Sequence, residues 1–339
     1  MLSLVTPFTA ALTIAPLRVP TSAPRAAVNM VAAPAPEKVA VSAFAGHVRP
    51  AASCAPNISF AIHADMSSNP LSHRALQDGL KTITLKNGAD SATVYPFGAC
   101  VTSYIKDGTD VLMVRPDAKM DGSKPISGGI PHCFPQFGPG AIQQHGFARN
   151  LDWEVAEQDD DTVVFVLKEN EYTMEMWPYE FEARYTVSLT SDSLETDLSV
   201  TNTGSKAFDF TAALHTYWSV SGIKNIKISS PAFDGASYLD KTASPPATKT
   251  SAGSDVTIAA ETDSVYAGVS GDVQLVDSKR KQPLTIANTL GWSDTVVWNP
   301  YGDENMGYDS FVCVESAQAS SPVVLQPNEY WTGAMTIKP

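Results

Sequence analysis

Cysteine, cationic side chains and helical pattern are all scarce in this 339-residue sequence, and each shortage excludes something. Four cysteines, Cys54, Cys100, Cys133 and Cys313, lie far apart with no C-x-x-C pair. That spacing argues against a zinc site or a disulfide framework, so the thiols read as reduced and mostly buried. Lys and Arg number 23 against 36 Asp and Glu, giving a formal charge of −13. A field of that sign disfavours nucleic acid and anionic membrane as partners, yet a few local cations could still hold an anionic small molecule. No stretch reaches the roughly 18 consecutive apolar residues of a membrane span. There is no G-x-x-x-x-G-K-[S/T] loop, no G-x-S-x-G elbow and no histidine pair at metal-site spacing. "GPGAIQ" lacks the third glycine of a dinucleotide loop.

Acids are nearly missing from the first sixty residues, where Glu37 stands alone against Arg18, Arg25, Lys38 and Arg49 amid Ala, Pro, Ser and Thr. Organelle import machinery reads segments of that kind. Residues 1–60 are expected to be a disordered plastid-targeting leader and residues 61–79 a linker. The alternative is a cytoplasmic protein with an untargeted tail.

From Leu80 onward short strand patterns dominate, and no helical periodicity extends over twelve residues. Lys81–Leu85 and Ser91–Tyr95 flank Asn87-Gly88, a hairpin turn signal. Tyr185–Leu189 and Leu194–Val200 flank "TSDS" and alternate apolar with polar residues at period two. Further runs are expected at Thr162–Leu167, Phe208–Leu214, Ile226–Ser229, Asp255–Ile258, Val273–Val276, Leu284–Ala287, Thr295–Trp298, Phe311–Val314 and Tyr330–Ile337. Many short strands without a second composition break imply one large all-β domain over residues 80–339, an antiparallel β-sandwich.

One segment fits neither strand nor linker. "SGGIPHCFPQFGPGAIQQHGFARN", residues 127–150, has eight Gly and Pro and a single formal charge, Arg149. That density excludes a helix or a central strand, while its Phe and Ile residues are too apolar for a solvated linker. Elsewhere, polar groups sit in apolar settings. "LHTYWSVSG" places His215 beside Tyr217 and Trp218, and "FVCVESAQ" sets Glu315 behind four apolar residues. A lone histidine among aromatics also suits a packed core, and a strand-end glutamate can reach solvent. A desolvated carboxylate with an imidazole in one cleft could instead exchange protons near neutral pH. Stacking aromatics, with Gln144, His145, Arg149 and Asp240, suit the faces and hydroxyls of a sugar.

"GGIPHCFPQFGPG", "QQHGFARN", "LHTYWSVSG", "SDTVVWNPY" and "FVCVESAQ" occur in this order. They resemble the signature blocks of the glucose-6-phosphate 1-epimerase (hexose-6-phosphate mutarotase) group, within the aldose 1-epimerase or galactose-mutarotase-like superfamily. The resemblance covers about residues 80–337. It implies a β-supersandwich with an open cleft, no cofactor, no metal, a sugar phosphate as ligand, and a monomer. His215 would be the acid that protonates the ring oxygen and Glu315 the base that takes the anomeric proton. Gln144, Arg149 and Asp240 would contact substrate. The group generally has arginine directly before "GGIP"; here that position is Ser127, with Lys124 a nearby cation that could compensate. An aldose 1-epimerase acting on unphosphorylated or other phosphorylated sugars, and a non-catalytic sugar-phosphate binder, are the alternatives.

Overall fold

The computed structural model describes residues 79–339, whose regular structure is almost entirely antiparallel strand. The expected leader and the linker up to residue 78 lie outside the described residues. Among the described residues no helix is long and apolar enough to cross a membrane.

Three sheets form the domain. A four-stranded sheet runs Ile83–Asn87, Asp90–Tyr95, Cys100–Lys106, Thr109–Asp110, and opens with the Asn87-Gly88 hairpin. Gly88 takes φ +60°, a conformation that glycine enters without a Cβ clash. A nine-stranded sheet extends from Asp255–Val256 to Glu154–Gln158. At its centre Phe181–Leu189 and Leu194–Asn202 pair over their full length. Phe181, Ala183, Tyr185, Val187 and Leu189 are all buried while the residues between them are partly exposed, so period-two alternation is met in full. The last strand, Glu154–Gln158, is exposed at every residue, and its pairing with Thr162–Lys168 shifts register between Val155 and Glu157.

The eight-stranded sheet carries the polar groups singled out above. Its order is Ala247–Thr250, Ser237–Asp240, Thr262–Tyr266, Asp294–Asn299, Phe311–Leu325, Phe208–Leu214 and His132–Cys133, with Tyr217–Ser219 also on Phe311–Leu325. Phe311–Leu325 is far longer than the four residues expected, because it continues past its apolar start along Phe208–Leu214. The short edge strand His132–Cys133 lies inside the Gly/Pro-rich segment, consistent with the exclusion of a central strand there.

The main apolar core draws on all three sheets, from Leu85 and Val94 through Tyr185 and Leu198 to Leu214 and Val314, with smaller buried clusters beside it. Phe134 of the Gly/Pro-rich segment anchors in it. Its ring meets Phe147, Trp177, Phe181 and Phe210 edge-on at centroid distances of 6.1, 5.8, 5.5 and 5.4 Å. Such edge-to-face contacts contribute roughly 0.5–1.5 kcal/mol each beyond buried area. The segment is therefore part of the core on one side, and its other side is left to face the eight-stranded sheet. Cys100, Cys133 and Cys313 are free and buried, as the spacing implied.

Candidate active site

Directly paired residues on neighbouring strands share a face of the sheet. Asp263 pairs with Trp298, Trp298 with Cys313, and Cys313 with Tyr217, so these four form one row across the eight-stranded sheet. One step along, Val265 pairs with Val296 and Val296 with Glu315. Leu214 pairs with Ser316, so His215, the next residue, arrives beside Glu315. Its position is fixed by its N–H, which donates to the Pro131 carbonyl at 2.9 Å. Trp218 holds the same strand by donating from Nε1 to the Val314 carbonyl at 2.9 Å.

These rows form the floor of a cleft of about 220 Å³. His215, Tyr217, Asp263, Val296, Trp298 and Glu315 come from the sheet. Ser127, Phe137, Gln144, His145 and Arg149 come from the Gly/Pro-rich segment, and Arg115 and Lys241 complete the rim. Beyond the wall made by Phe137 and Lys241 lies a larger, mostly apolar hollow of about 550 Å³.

His215 Nδ1 stands 3.5 Å from Glu315 Oε1. Glu315 is 2% exposed, and its Oε2 has no protein partner. Burial pushes the Glu315 carboxyl well above its ordinary range, reinforced by the negative charge of Asp263 and only partly offset by Lys241 and Arg149. Burial likewise holds the His215 imidazole well below its ordinary value, helped by His145, Arg149 and Lys241. Each shift disfavours the charged form, so a carboxylate formed here is a stronger base and an imidazolium a stronger acid than in water.

A second imidazole borders the first, with the His145 and His215 rings 5.5 Å apart. The Gly138 N–H donates to His145 Nδ1 at 3.2 Å, so a neutral ring carries its proton on Nε2, which lies 3.4 Å from the Gln144 side-chain amide. Burial and the cations Arg149 and Lys241 lower its pKa to about 3, so His145 is a neutral donor. Arg149 is held by a hydrogen bond from Nη2 to the Gln144 carbonyl at 3.0 Å. Lys241 lies over the Phe137 ring and pairs with Asp263 at 2.9 Å.

Two residues singled out from the sequence lie outside this lining. Asp240 is absent from the cleft lining. Its carboxylate accepts from Lys249 at 2.5 Å and from the Thr242 hydroxyl at 2.7 Å. Asp240 pairs with Ser264, and strand alternation puts Ser264 on the opposite face from Asp263, so the acid that reaches the cleft is Asp263. Lys124 is exposed and also absent from the lining. Arg115, Lys241 and Asp263 are the charged cleft residues that sequence reasoning missed. The pairing that gathers them is long-range, and only the adjacency of Lys241 to "SYLD" pointed there.

His215, Cys313 and Glu315 also bring potential ligand atoms within 4.8 Å of one another. Sequence spacing hid this group because His215 joins it from about a hundred residues away, while Cys313 and Glu315 sit two apart on one strand. Their types suit zinc, although burial raises the Cys313 thiol well above its ordinary pKa and so keeps it protonated. The same imidazole and carboxyl line the cleft.

The architecture is that of the galactose mutarotase-like β-supersandwich. A Salmonella typhimurium crystal structure described as "a putative mutarotase" matches with a TM-score of 0.68 at 28% identity, covering 77% of this chain and 90% of its own. A "galactose mutarotase related enzyme" from Lactobacillus acidophilus gives 0.64 at 17% identity, covering 76% and 97%. The sequence model of the aldose 1-epimerase family matches residues 81–338, and the chain belongs to that family. Membership makes it an isomerase by class. A protein of Cenchrus ciliaris named "Putative glucose-6-phosphate 1-epimerase" is 31% identical over 284 residues, 76% of this chain and 84% of the relative. One of the same name from Escherichia coli K12 is 30% identical over 279 residues, covering 77% and 91%.

Proposed function

We propose that the protein interconverts the α and β anomers of a hexose 6-phosphate by acid–base ring opening. The observation that carries this reading is the buried His215–Glu315 pair on the floor of a cleft bordered by Arg115, Arg149 and Lys241. Glu315 as carboxylate takes the proton of the anomeric hydroxyl. The O1 electron pair forms the C1=O1 bond, the C1–O5 bond breaks, and O5 takes a proton from His215. Rotation about C1–C2 presents the other face of the aldehyde. Closure then runs with the roles reversed, His215 removing the O5 proton and Glu315 returning one to O1. Protons and electrons balance over the cycle. Tyr217 and Trp298 offer apolar surface to the sugar, and Gln144 and the Nε2–H of His145 offer hydrogen bonds to its oxygens.

The test is anomer exchange followed by NMR on glucose 6-phosphate and on glucose. The phosphorylated sugar should show the higher kcat/KM. Arg149→Ala should raise its KM at least tenfold, about 1.4 kcal/mol of lost binding, and leave the KM for glucose within twofold. Added salt should weaken phosphosugar binding, since partly exposed charge pairs are screened. Equal effects on both sugars would make Arg149 only a wall residue, and equal use of both sugars by the unaltered enzyme would favour an epimerase for free aldoses.

We also infer, from its acid-poor, weakly basic composition, that residues 1–60 direct plastid import. A fluorescent protein fused behind this segment should enter plastids of leaf cells; retention in the cytosol would refute the inference.

A further inference from the structure

The geometry points to Arg115 as a specificity-determining residue that presents a guanidinium to the anionic group of the sugar from the chain segment facing Ser127. This rests on the hexose-phosphate reading above and identifies which residue carries much of that preference. Three observations lead to it.

The first is backbone placement. Val114 forms an antiparallel bridge with Gly128. On either side the Arg115 N–H donates to the Ser127 carbonyl at 3.0 Å and the Gly129 N–H to the Met113 carbonyl at 2.8 Å. Residues 115 and 127 are thus direct cross-strand neighbours whose side chains leave the same face. Both line the cleft. The close approach depends on Gly128, where a Cβ would stand 2.4 Å from Val114 Cα. A cation at residue 115 and one at residue 127 would enter the same corner; here residue 127 is a short hydroxyl and residue 115 the arginine.

The second is how the guanidinium is held. Nε and Nη2 donate to the two Asp117 oxygens at 2.8 and 2.5 Å, so one edge of the fork is fixed from outside. The Arg115 side chain is only 12% exposed, while Asp117 is 42% exposed. Tyr217, which faces the cleft, is a further hydrogen-bonding neighbour. Two edges of a guanidinium can each make paired hydrogen bonds. With the Nε edge on Asp117 and Tyr217 alongside, the guanidinium is held at the cleft with little side-chain freedom left to lose on binding an anion.

The third is the company it keeps. Lys241 is already committed to Asp263 at 2.9 Å, and Lys124 is exposed outside the cleft. Arg115 and Arg149 are the guanidinium groups of the lining, Arg149 from the Gly/Pro-rich segment and Arg115 from the stretch that pairs with its start.

Anomer exchange on glucose 6-phosphate and glucose should be measured for the full chain and for Arg115→Met and Arg115→Lys, with thermal midpoints as a check on folding. Arg115→Met should raise KM for glucose 6-phosphate at least tenfold, with KM for glucose within twofold and kcat on either sugar within threefold, because the residue binds without touching the reacting atoms. Arg115→Lys keeps the charge and stem but loses the planar fork, and should raise only the phosphosugar KM, by a smaller factor. It serves alone should Arg115→Met not fold. The double substitution Arg115→Ser with Ser127→Arg should recover part of the phosphosugar KM lost in Arg115→Met. If the unaltered enzyme shows no preference for the phosphorylated sugar, the hexose-phosphate reading fails and this inference with it. If that preference is present and persists undiminished in both single variants, Arg115 alone is wrongly assigned. A fall in kcat on both sugars at unchanged KM would also overturn it, by marking Arg115 as a support of the catalytic pair.

Discussion

Replacing His215 with Asn, or Glu315 with Gln, is expected to lower anomer turnover by ~10²-fold or more, the usual contribution of a positioned acid or base. Each substitution removes one proton carrier and preserves approximate shape. The two should not be additive, because each half-reaction needs both groups. Stability offers an independent readout. Burial raises the folded-state pKa of Glu315 above its unfolded value. A group raised in this way stabilises the fold only while the pH stays below the unfolded pKa, near 4.5, and loses that contribution as the pH climbs toward the folded pKa. At neutral pH the ionisable side chain therefore burdens the native state, and Glu315→Gln should melt no lower than the parent. The gap should narrow toward pH 4. Near-normal exchange in either purified variant would remove the pair from the mechanism, while loss of folding in Glu315→Gln would show that the carboxyl is structural.

Gly146→Ala is expected to cost about 3 kcal/mol or more in stability, the scale of a backbone clash that only rearrangement relieves. Gly146 sits at φ +69°, and a Cβ there would lie 2.1 Å from the Phe134 carbonyl oxygen and 2.6 Å from the Pro135 nitrogen. That same oxygen accepts from the N–H groups of Phe147 and Ala148 at 3.0 and 3.2 Å. Relief of the clash must break those bonds or shift Phe134 out of its aromatic cluster. Gly138→Ala is the control. Its φ of +70° is similar, yet nothing lies within 4 Å of the added Cβ, so only the intrinsic left-handed penalty of ~1–2 kcal/mol applies. Urea denaturation of both variants separates strain from contact. Equal losses would show that the tight approach at Gly146 can relax.

The contrast between these two glycines explains what a Gly/Pro-rich segment is for in this fold. Residues 127–150 are folded back on themselves and pinned to the core by Phe134 and Phe147. His145 and Gly146 both take positive φ, which carries the chain from the core side to the cleft side within two residues. Rigidity here positions Gln144, His145 and Arg149 along one wall.

Strands with clear alternation were legible from sequence. Phe208–Leu214 and Ile226–Ser229 have the bounds expected, and Phe181–Leu189 and Leu194–Asn202 differ only at their ends. Others were not. Thr262–Tyr266 holds Asp263 in the position of an inward residue, so its pattern looks broken until the cleft explains it. Glu154–Gln158 has no buried face to generate a pattern, and Cys100–Lys106 is buried or half-buried along its length. For the site, His215, Glu315, Gln144 and Arg149 gather in one cleft, each flagged by a local oddity of polarity. Asp240 lies outside the lining and Asp263 within it, because a one-residue difference in register decides which face an acid reaches. Arg115 carries no local signal at all, since "VRPD" reads as an ordinary turn.

The far end of the nine-stranded sheet bears on how the protein behaves at high concentration. An open sheet edge presents unpaired N–H and C=O groups that another chain can extend. Here that edge is Glu154–Gln158, five exposed residues with glutamates at both Glu154 and Glu157. The register shift after Val155 interrupts the regular spacing a visiting strand would need. Arg184, two strands further in, ties back to Glu157 at 3.2 Å. An approaching copy would bring like charges into opposition along a bulged, twisted border. The surface that ends the sheet is therefore a poor template for fibrous stacking.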